Sequence, residues 1–541
     1  DVVNGEFSRD FDINPFSYAL NSSRTMQPYS EDGSYEFYKM NYAPFNILHE
    51  ADNNRLDIDM LDTKFQAELS IRPIKGLELR SIASLRYVKS TNEHKVFETS
   101  NLAEAYRAAD DSTIRKYNKF LWKNPDRPAD EPIVVMPKGG LYSREDNKMM
   151  TYYLRNTVSY NNYFNEKHGL TAMLGQEIKS TDRTAAHNNG YGYQWDRGGV
   201  PFVDYRILRQ ILEGGFNYYG MGSNYDRFVA FFLNAGYSFD DRYTVNATAR
   251  YDGSNRMGKS SSARWLPTWN VSGAWNVHNE KFMQDQQVVS MLKLRATYGL
   301  TATMGPASNA RAIFMNDVTF RPYQDEKESQ IYVASLENSD LTWEKQYEFN
   351  FGFDIGFLAN RISLSFDAYK RRGFDLIDRV RTSGIGGETT KWANHADMNS
   401  KGVEFTLNTR NIVIPDFSWT TNVTFSYNTN KIKKLKSKPN IMRLVREEGG
   451  PLEGHAAAGL YSIPFAGLSE EGLPTFYWKN GELIEDNINF QESQDVSFLK
   501  YEGSVDPSIV GGMENSFKYK NLTLGVYFTY QFGNKIRLYP S

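Results

Sequence analysis

The sequence predicts an all-β chain: an antiparallel transmembrane β-barrel, or a portion of one, carrying long extracellular loops. Three observations point there. Apolar and polar residues alternate with a period of two over many segments. The hairpins these segments form join through tight turns at one end and long stretches at the other. Finally, a chain of 541 residues that is only 40% hydrophobic carries 14% aromatic side chains, so the rings must occupy particular places.

The alternation is cleanest where Tyr347, Phe349, Phe351, Phe353 and Ile355 share one face and Glu348, Asn350, Gly352 and Asp354 the other. Ile362, Leu364, Phe366 and Ala368 follow against Ser363, Ser365 and Asp367, and only Phe357 to Asn360 lies between the two runs, which makes a hairpin. Phe65, Ala67, Leu69 and Ile71 likewise turn through Pro73 to Gly76 into Leu77, Leu79, Ala83, Leu85 and Tyr87. Leu233, Ala235, Tyr237 and Phe239 turn at Asp240 to Arg242 into Tyr243, Val245, Ala247, Ala249 and Tyr251. Val403, Phe405 and Leu407 precede Phe417, Trp419, Val423, Phe425 and Tyr427, and Met513, Phe517 and Tyr519 precede Leu522, Leu524, Val526, Phe528 and Tyr530. About fourteen strands are expected, most of ten or more residues.

Between hairpins lie Thr91 to Asn147, Lys179 to Ser223, Ala302 to Leu341 and Lys431 to Asp506, stretches of about 40 to 80 residues where about 4 to 6 is the common loop length. Tight turns at one end and long loops at the other suit an outer-membrane barrel, whereas a sandwich carries similar loops at both ends. Lys and Arg are almost absent from the apolar face. The opposite face collects Glu68, Arg72, Glu78, Arg80, Arg86, Arg155, Arg250, Asp252, Arg295 and Asp354, as a hydrated lumen allows and lipid does not. Tyr87, Tyr152, Tyr160, Tyr237, Tyr243, Tyr251 and Tyr519 fall towards strand ends, where interfacial girdles need amphipathic rings.

Composition removes other classes. A formal charge of -3 gives no footprint for nucleic acid, and the absence of cysteine removes disulfides and thiolate chemistry. The longest clean apolar run, Phe228 to Leu233, is far too short for a membrane helix, and the opening DVVNGEFSRD has no secretory leader pattern. No catalytic constellation, metal site or cofactor motif is found. The histidines are scattered, and Asp52, Asp57, Asp59 and Asp62 match a calcium loop only loosely. Residues 101–122 have helical composition, with Leu102, Ala105, Tyr106 and Ala108 spaced at three and four. More suggestive are GYGYQWDRGG (Gly190 to Gly199) and GGFNYYGMGSNY (Gly214 to Tyr225), which place Tyr191, Tyr193, Trp195, Tyr218 and Tyr219 outside any strand pattern. Exposed rings beside Asp196 and Arg197 suit stacking on sugars or gripping a peptide or protein; the alternative is that they pack the loops against one another.

Arg250 to Trp275, RYDGSNRMGKSSSARWLPTWNVSGAW, resembles the characteristic segment of SusC/RagA-type TonB-dependent transporters, which reads close to RxDGSSxFG and then FPSxSxGW. KHGLTAMLGQE (Lys167 to Glu177), LKLRATYGLT (Leu292 to Thr301), LTWEKQYEFNFGFDIGF (Leu341 to Phe357), NSKGVEFTLN (Asn399 to Asn408) and DPSIVGGMENSFKYKNLTLGVYFTYQFGNKI (Asp506 to Ile536) match in the family's order. Met257 and Leu266 stand where phenylalanine is usual. The resemblance implies an outer-membrane barrel of about 22 strands with an N-terminal plug and a TonB box, a SusD-like surface lipoprotein as lid, and import of glycans or oligopeptides. It therefore makes residues 1–541 a partial barrel whose plug, TonB box and C-terminal strands are not in this chain. On this reading Tyr191, Tyr193, Trp195, Arg197, Tyr218 and Tyr219 are candidate contacts for substrate or lid. A siderophore- or vitamin-type receptor and a soluble β-rich glycan-binding protein are the rival readings.

Overall fold

Fourteen strands, each hydrogen-bonded to the strand before and after it in sequence, form one antiparallel sheet. The computed structural model describes residues 15–40, 43–109, 115, 118, 120–199, 204–208, 218–258, 260–305, 312–320, 327–385, 390–437, 439–485 and 495–538. The strands are β1 (Asn54–Ile74), β2 (Leu77–Val96), β3 (Gly140–Phe164), β4 (His168–Tyr193), β5 (Tyr219–Phe239), β6 (Tyr243–Ser254) and β7 (Trp265–Asn276). They continue with β8 (Val289–Thr303), β9 (Glu344–Phe357), β10 (Ile362–Arg381), β11 (Thr390–Ile414), β12 (Phe417–Leu435), β13 (Ile509–Tyr519) and β14 (Leu522–Phe532). Among the described residues β1 and β14 each have a single neighbour, so the sheet is an open wall.

Short connections share one end. Asn165 and Glu166 (φ 48° and 56°) between β3 and β4, and Asp240 and Asp241 (φ 54° and 53°) between β5 and β6, are left-handed pairs whose twist matches that of the strands they join. Gly76 turns β1 into β2 at φ 84°, and a Cβ there would lie 2.5 Å from the Asn161 carbonyl oxygen.

Register places the apolar sets of neighbouring strands on one side. Phe353 faces Phe366 and Phe405 faces Phe425, their rings stacked at 5.1 Å in both cases. Phe65, Leu69, Leu174, Leu233, Val245, Val271, Phe349 and Leu524 remain exposed on this side, as a lipid-facing wall requires. Tyr152 and Tyr160 on β3, and Tyr243 and Tyr251 on β6, bracket the apolar zone eight residues apart. That is about 27 Å of strand, or about 20 Å of height at a tilt near 40°, close to the 25 Å band of outer-membrane barrels.

Two expectations are corrected. β3, β4 and β11 run for 25, 26 and 25 residues, far beyond the roughly 9 to 11 that cross a bilayer, so the long loops are shorter than their sequences suggest. Tyr191, Tyr193 and Tyr219 consequently lie inside strands. Above the membrane both faces meet water, and the contrast that reveals alternation disappears, as in Lys179 to Tyr193. Of the segment 101–122 with helical composition, the described residues place a helix at Asn101–Arg107, several of residues 110–119 lie outside the described residues, and Leu121–Trp122 pairs as a short strand with Ile133–Val134. Ser100 caps the helix by accepting from the Leu102 N–H at 3.2 Å.

Arginine in place of Leu233, on the lipid side of β5, should cost about 2–4 kcal/mol and deplete the heat-modifiable folded form of the full-length protein in membranes. Asn234→Arg, one residue along and on the other face, should leave it intact. Unheated gel mobility compares the two.

Candidate functional site

The polar face of the sheet is lined by paired charges. Arg80 meets Glu68 at 2.7 Å, Arg250 meets Asp252 at 2.7 Å, and Arg371 meets Glu348 at 2.8 Å. Arg295 lies 2.6 Å from Asp367 and 3.5 Å from Asp354, and Arg72 lies 3.7 Å from Glu78. Asp62 accepts from Arg86 on both carboxylate oxygens. Arg155, directly across from Glu177, lies over the Phe232 ring at 5.0 Å, and Arg250 approaches the same ring at 5.6 Å. Water-exposed pairs of this kind contribute only about 0–1 kcal/mol each. Their effect is to keep the face wet and near neutral.

At the far end from the tight turns, loops build a rim with its own core. Val96, Leu102, Ala103, Phe120, Val135, Met136, Leu141, Tyr191 and Ile207 are buried together. A polar knot braces it from below. Glu50 accepts from the Ser100 hydroxyl at 3.1 Å and the Asn101 N–H at 2.6 Å, while the Asn101 amide donates to the carbonyls of Met40, Ala43 and Pro44 at 2.7, 3.1 and 3.0 Å. Arg107 donates to the carbonyls of Glu98, Pro137 and Gly139, and burial pulls its guanidinium pKa down. Hydrogen bonds from Arg206 hold the Asp204 carboxyl below its ordinary range. No sequence pattern marked Glu50 or Asn101.

The segment Arg250 to Trp275 has a structural explanation. The Asn255 amide donates to the Tyr225 carbonyl at 2.6 Å, and its oxygen accepts from the Arg227 N–H at 2.8 Å, tying the β6–β7 loop to β5. Met257 is buried with Leu266 and Trp343. The Gly258 N–H donates to the Leu341 carbonyl at 3.0 Å, and a Cβ at Gly258 would sit 2.1 Å from the Ser339 carbonyl oxygen. Close approach at Gly258 and the buried Met257 thus lock the β6–β7 loop against the β8–β9 loop.

The six residues singled out above divide into two groups. Tyr191 is only 3% exposed, within the rim core. Tyr193 packs on Trp195 at 4.5 Å, and Trp195 in turn lies 5.2 Å from Phe97 and donates to the Val96 carbonyl at 3.0 Å. Arg197 is exposed beside Asp196, and Tyr218 and Tyr219 are 44% and 56% exposed at the start of β5. The acids of the loose calcium-like run are engaged otherwise, Asp57 by Lys95 at 2.7 Å and Asp62 by Arg86. Among the described residues no three His, Asp or Glu side chains are grouped to hold a metal.

An apolar outer wall, a charge-paired inner face and a packed rim agree with the family comparison, in which residues 4–538 match the model described as TonB dependent receptor-like, beta-barrel. The chain belongs to the TonB-dependent receptor β-barrel family. Its place is the outer membrane, and the soluble reading is thereby corrected. TonB-dependent receptor P3 of Formosa agariphila is 25% identical over 464 residues, covering 81% of this chain and 45% of the relative. TonB-dependent receptor SusC of Bacteroides thetaiotaomicron is 29% identical over 391 residues, covering 69% of this chain and 37% of the relative. The chain thus spans less than half the length of the curated relatives it matches. The RagAB peptide importer in its closed-closed state superposes with a TM-score of 0.72 at 22% identity, covering 94% of this chain and 52% of that one, which shows a shared fold.

Met257→Ala should loosen the interloop lock by about 2–5 kcal/mol, whereas the volume-conserving Met257→Leu should cost less than about 1.5 kcal/mol. The expected readout is faster limited proteolysis of the β6–β7 and β8–β9 loops in the alanine variant alone.

Proposed function

We propose that this chain forms the transport wall and part of the capture rim of a TonB-energised outer-membrane importer for glycans or oligopeptides, closed from outside by a SusD-like lipoprotein. The observation that carries the reading is the ladder of paired charges on the face opposite the lipid wall. A hydrated, charge-balanced lining suits a flexible solute rich in hydroxyl or amide groups. SusC among the relatives and the peptide importer RagAB among the structural matches support it. In this reading the plug and TonB box belong to sequence outside these 541 residues, since the curated relatives are more than twice as long as the part matched.

Capture is assigned to the exposed group Arg197, Tyr218 and Tyr219, with Tyr191, Tyr193 and Trp195 as the packed support behind it. Aromatic anchors are the side chains whose truncation costs binding most. Replacing Tyr218 and Tyr219 together by alanine in the full-length protein should lower substrate uptake or lid affinity several-fold while leaving the protease resistance of the rim unchanged. Trp195→Ala should instead loosen the rim. Unchanged uptake and unchanged lid affinity in the tyrosine variant would remove these residues from the site.

The reading as a whole is tested by affinity purification of the full-length protein from its native membrane. A surface lipoprotein should co-purify, and uptake of an oligosaccharide or peptide should stop when the proton-motive force is collapsed. Retention of an iron chelate or a cobalamin with no lipoprotein partner would instead establish the siderophore- or vitamin-type alternative.

A further inference from the structure

The lipid-facing wall is nearly free of charge, with an exception at one height. On β9 to β12 the outward residues from Phe417 to Tyr427 and from Ile414 to Val403 form the apolar band. The ten residue steps from Phe417 to Tyr427 span about 33 Å of strand, which a tilt near 40° reduces to about 25 Å of height. Immediately above, still on the outward face by alternation, stand Lys370 and Arg372 on β10, Lys401 on β11 and Lys431 on β12. Lys370 is directly opposite Lys401, Arg372 is opposite Asn399, and Asn399 is opposite Lys431. All four cations are exposed.

Their surroundings leave them uncompensated. Asp375, near the same level, is held by Lys345 at 3.0 Å, and Asp397 faces Lys434. Among the described residues none of the four makes an ion pair. Aromatic rings mark this height as the membrane border: Tyr298 stacks on Tyr347 at 6.1 Å and Tyr347 on Phe374 at 5.6 Å. Like charges directly opposite across two strands are destabilising, so the Lys370–Lys401 pair costs stability unless an anion lies between them. The arrangement recurs on the same face nearer the other edge of the sheet. There Lys89 is opposite Lys148, above Tyr87 and Tyr152, and the Lys148 ammonium lies 5.9 Å from the Tyr87 ring centroid.

We propose that Lys370, Arg372, Lys401 and Lys431 form a binding site for the phosphate of an outer-leaflet lipid headgroup, whose acyl chains lie on the apolar band below. Arg372 supplies a planar fork for phosphate oxygens, and the lysines act as flanking point charges. An acyl chain running down Ala368, Phe366 and Leu364 gives the site its preference for a lipid over a free anion.

The test uses the full-length protein in neutral detergent, with native mass spectrometry as readout. The probes are a phosphorylated lipid A, its dephosphorylated counterpart, phosphatidylethanolamine and inorganic phosphate. The wild type should retain the phosphorylated lipid in preference to both other lipids, and millimolar inorganic phosphate should not displace it. Lys370→Gln with Lys401→Gln should weaken retention roughly 25-fold, about fivefold for each cation near the surface, and Arg372→Gln should weaken it at least as much as one lysine. In lipid-free detergent the double variant should melt no lower than the wild type, because a repulsion has been removed. Equal retention of phosphorylated and dephosphorylated lipid, full retention by the double variant, or a lowered melting temperature of that variant without lipid would each overturn the proposal. Displacement by inorganic phosphate would overturn the lipid assignment.

Discussion

Every backbone N–H and C=O that crosses hydrocarbon must find its partner within the protein, because lipid offers none. The meander from β1 to β14 satisfies this in the simplest manner, each strand bonding to the one made just before it. Tight turns on one side follow from this, since adjacent antiparallel strands can be joined by very few residues. The other side is then left free for long insertions. The edges of β1 and β14 fall under the same constraint, because an unpaired edge in lipid has no solvent to bond to.

Once the backbone is fixed, side chains alternate by necessity, and two solvents sort them. On the lipid side stacked rings such as Phe353 on Phe366 contribute packing without charge. On the water side Arg371 and Arg250 each find a carboxylate on the same or a neighbouring strand, and Arg295 reaches Asp354 on the neighbouring strand and Asp367 one strand further on. The rim obeys a third regime, in which water lies on both sides and a small apolar core must be enclosed by loops. Met257 and Trp343 supply such a core where two loops meet, and the buried Glu50–Asn101 knot supplies a polar equivalent.

The membrane part of the fold was legible because lipid enforces contrast: a residue such as Phe351 between Asn350 and Gly352 has only one orientation that places it in hydrocarbon. Fourteen strands and their pairing order follow from that contrast and from the short turns. The upper strands were not legible, because Thr184 to Gly190 faces water on both sides and carries no period. The aromatic loop near Trp195 looked like a ligand surface for the same reason. A ring outside a visible pattern carries no sign of whether a neighbour covers it, and Phe97, which packs on Trp195, comes from a distant part of the chain. The lumenal charges were placed on the correct face, but their partners were not evident, since Asp367 reaches Arg295 across an intervening strand.

The length of β3 and β4 has a mechanical consequence. Their ladder keeps one register from Phe164 and His168 at the turn to Leu141 and Tyr191 at the rim, with a single bulge beyond at Gly140, so no joint separates the membrane wall from the surface above it. A hydrogen-bonded plate of this kind resists bending along its strands, and its upper margin keeps the tilt that the lower part has in the bilayer. The rim is therefore a stiff seat. The lid proposed above must then supply its own hinge.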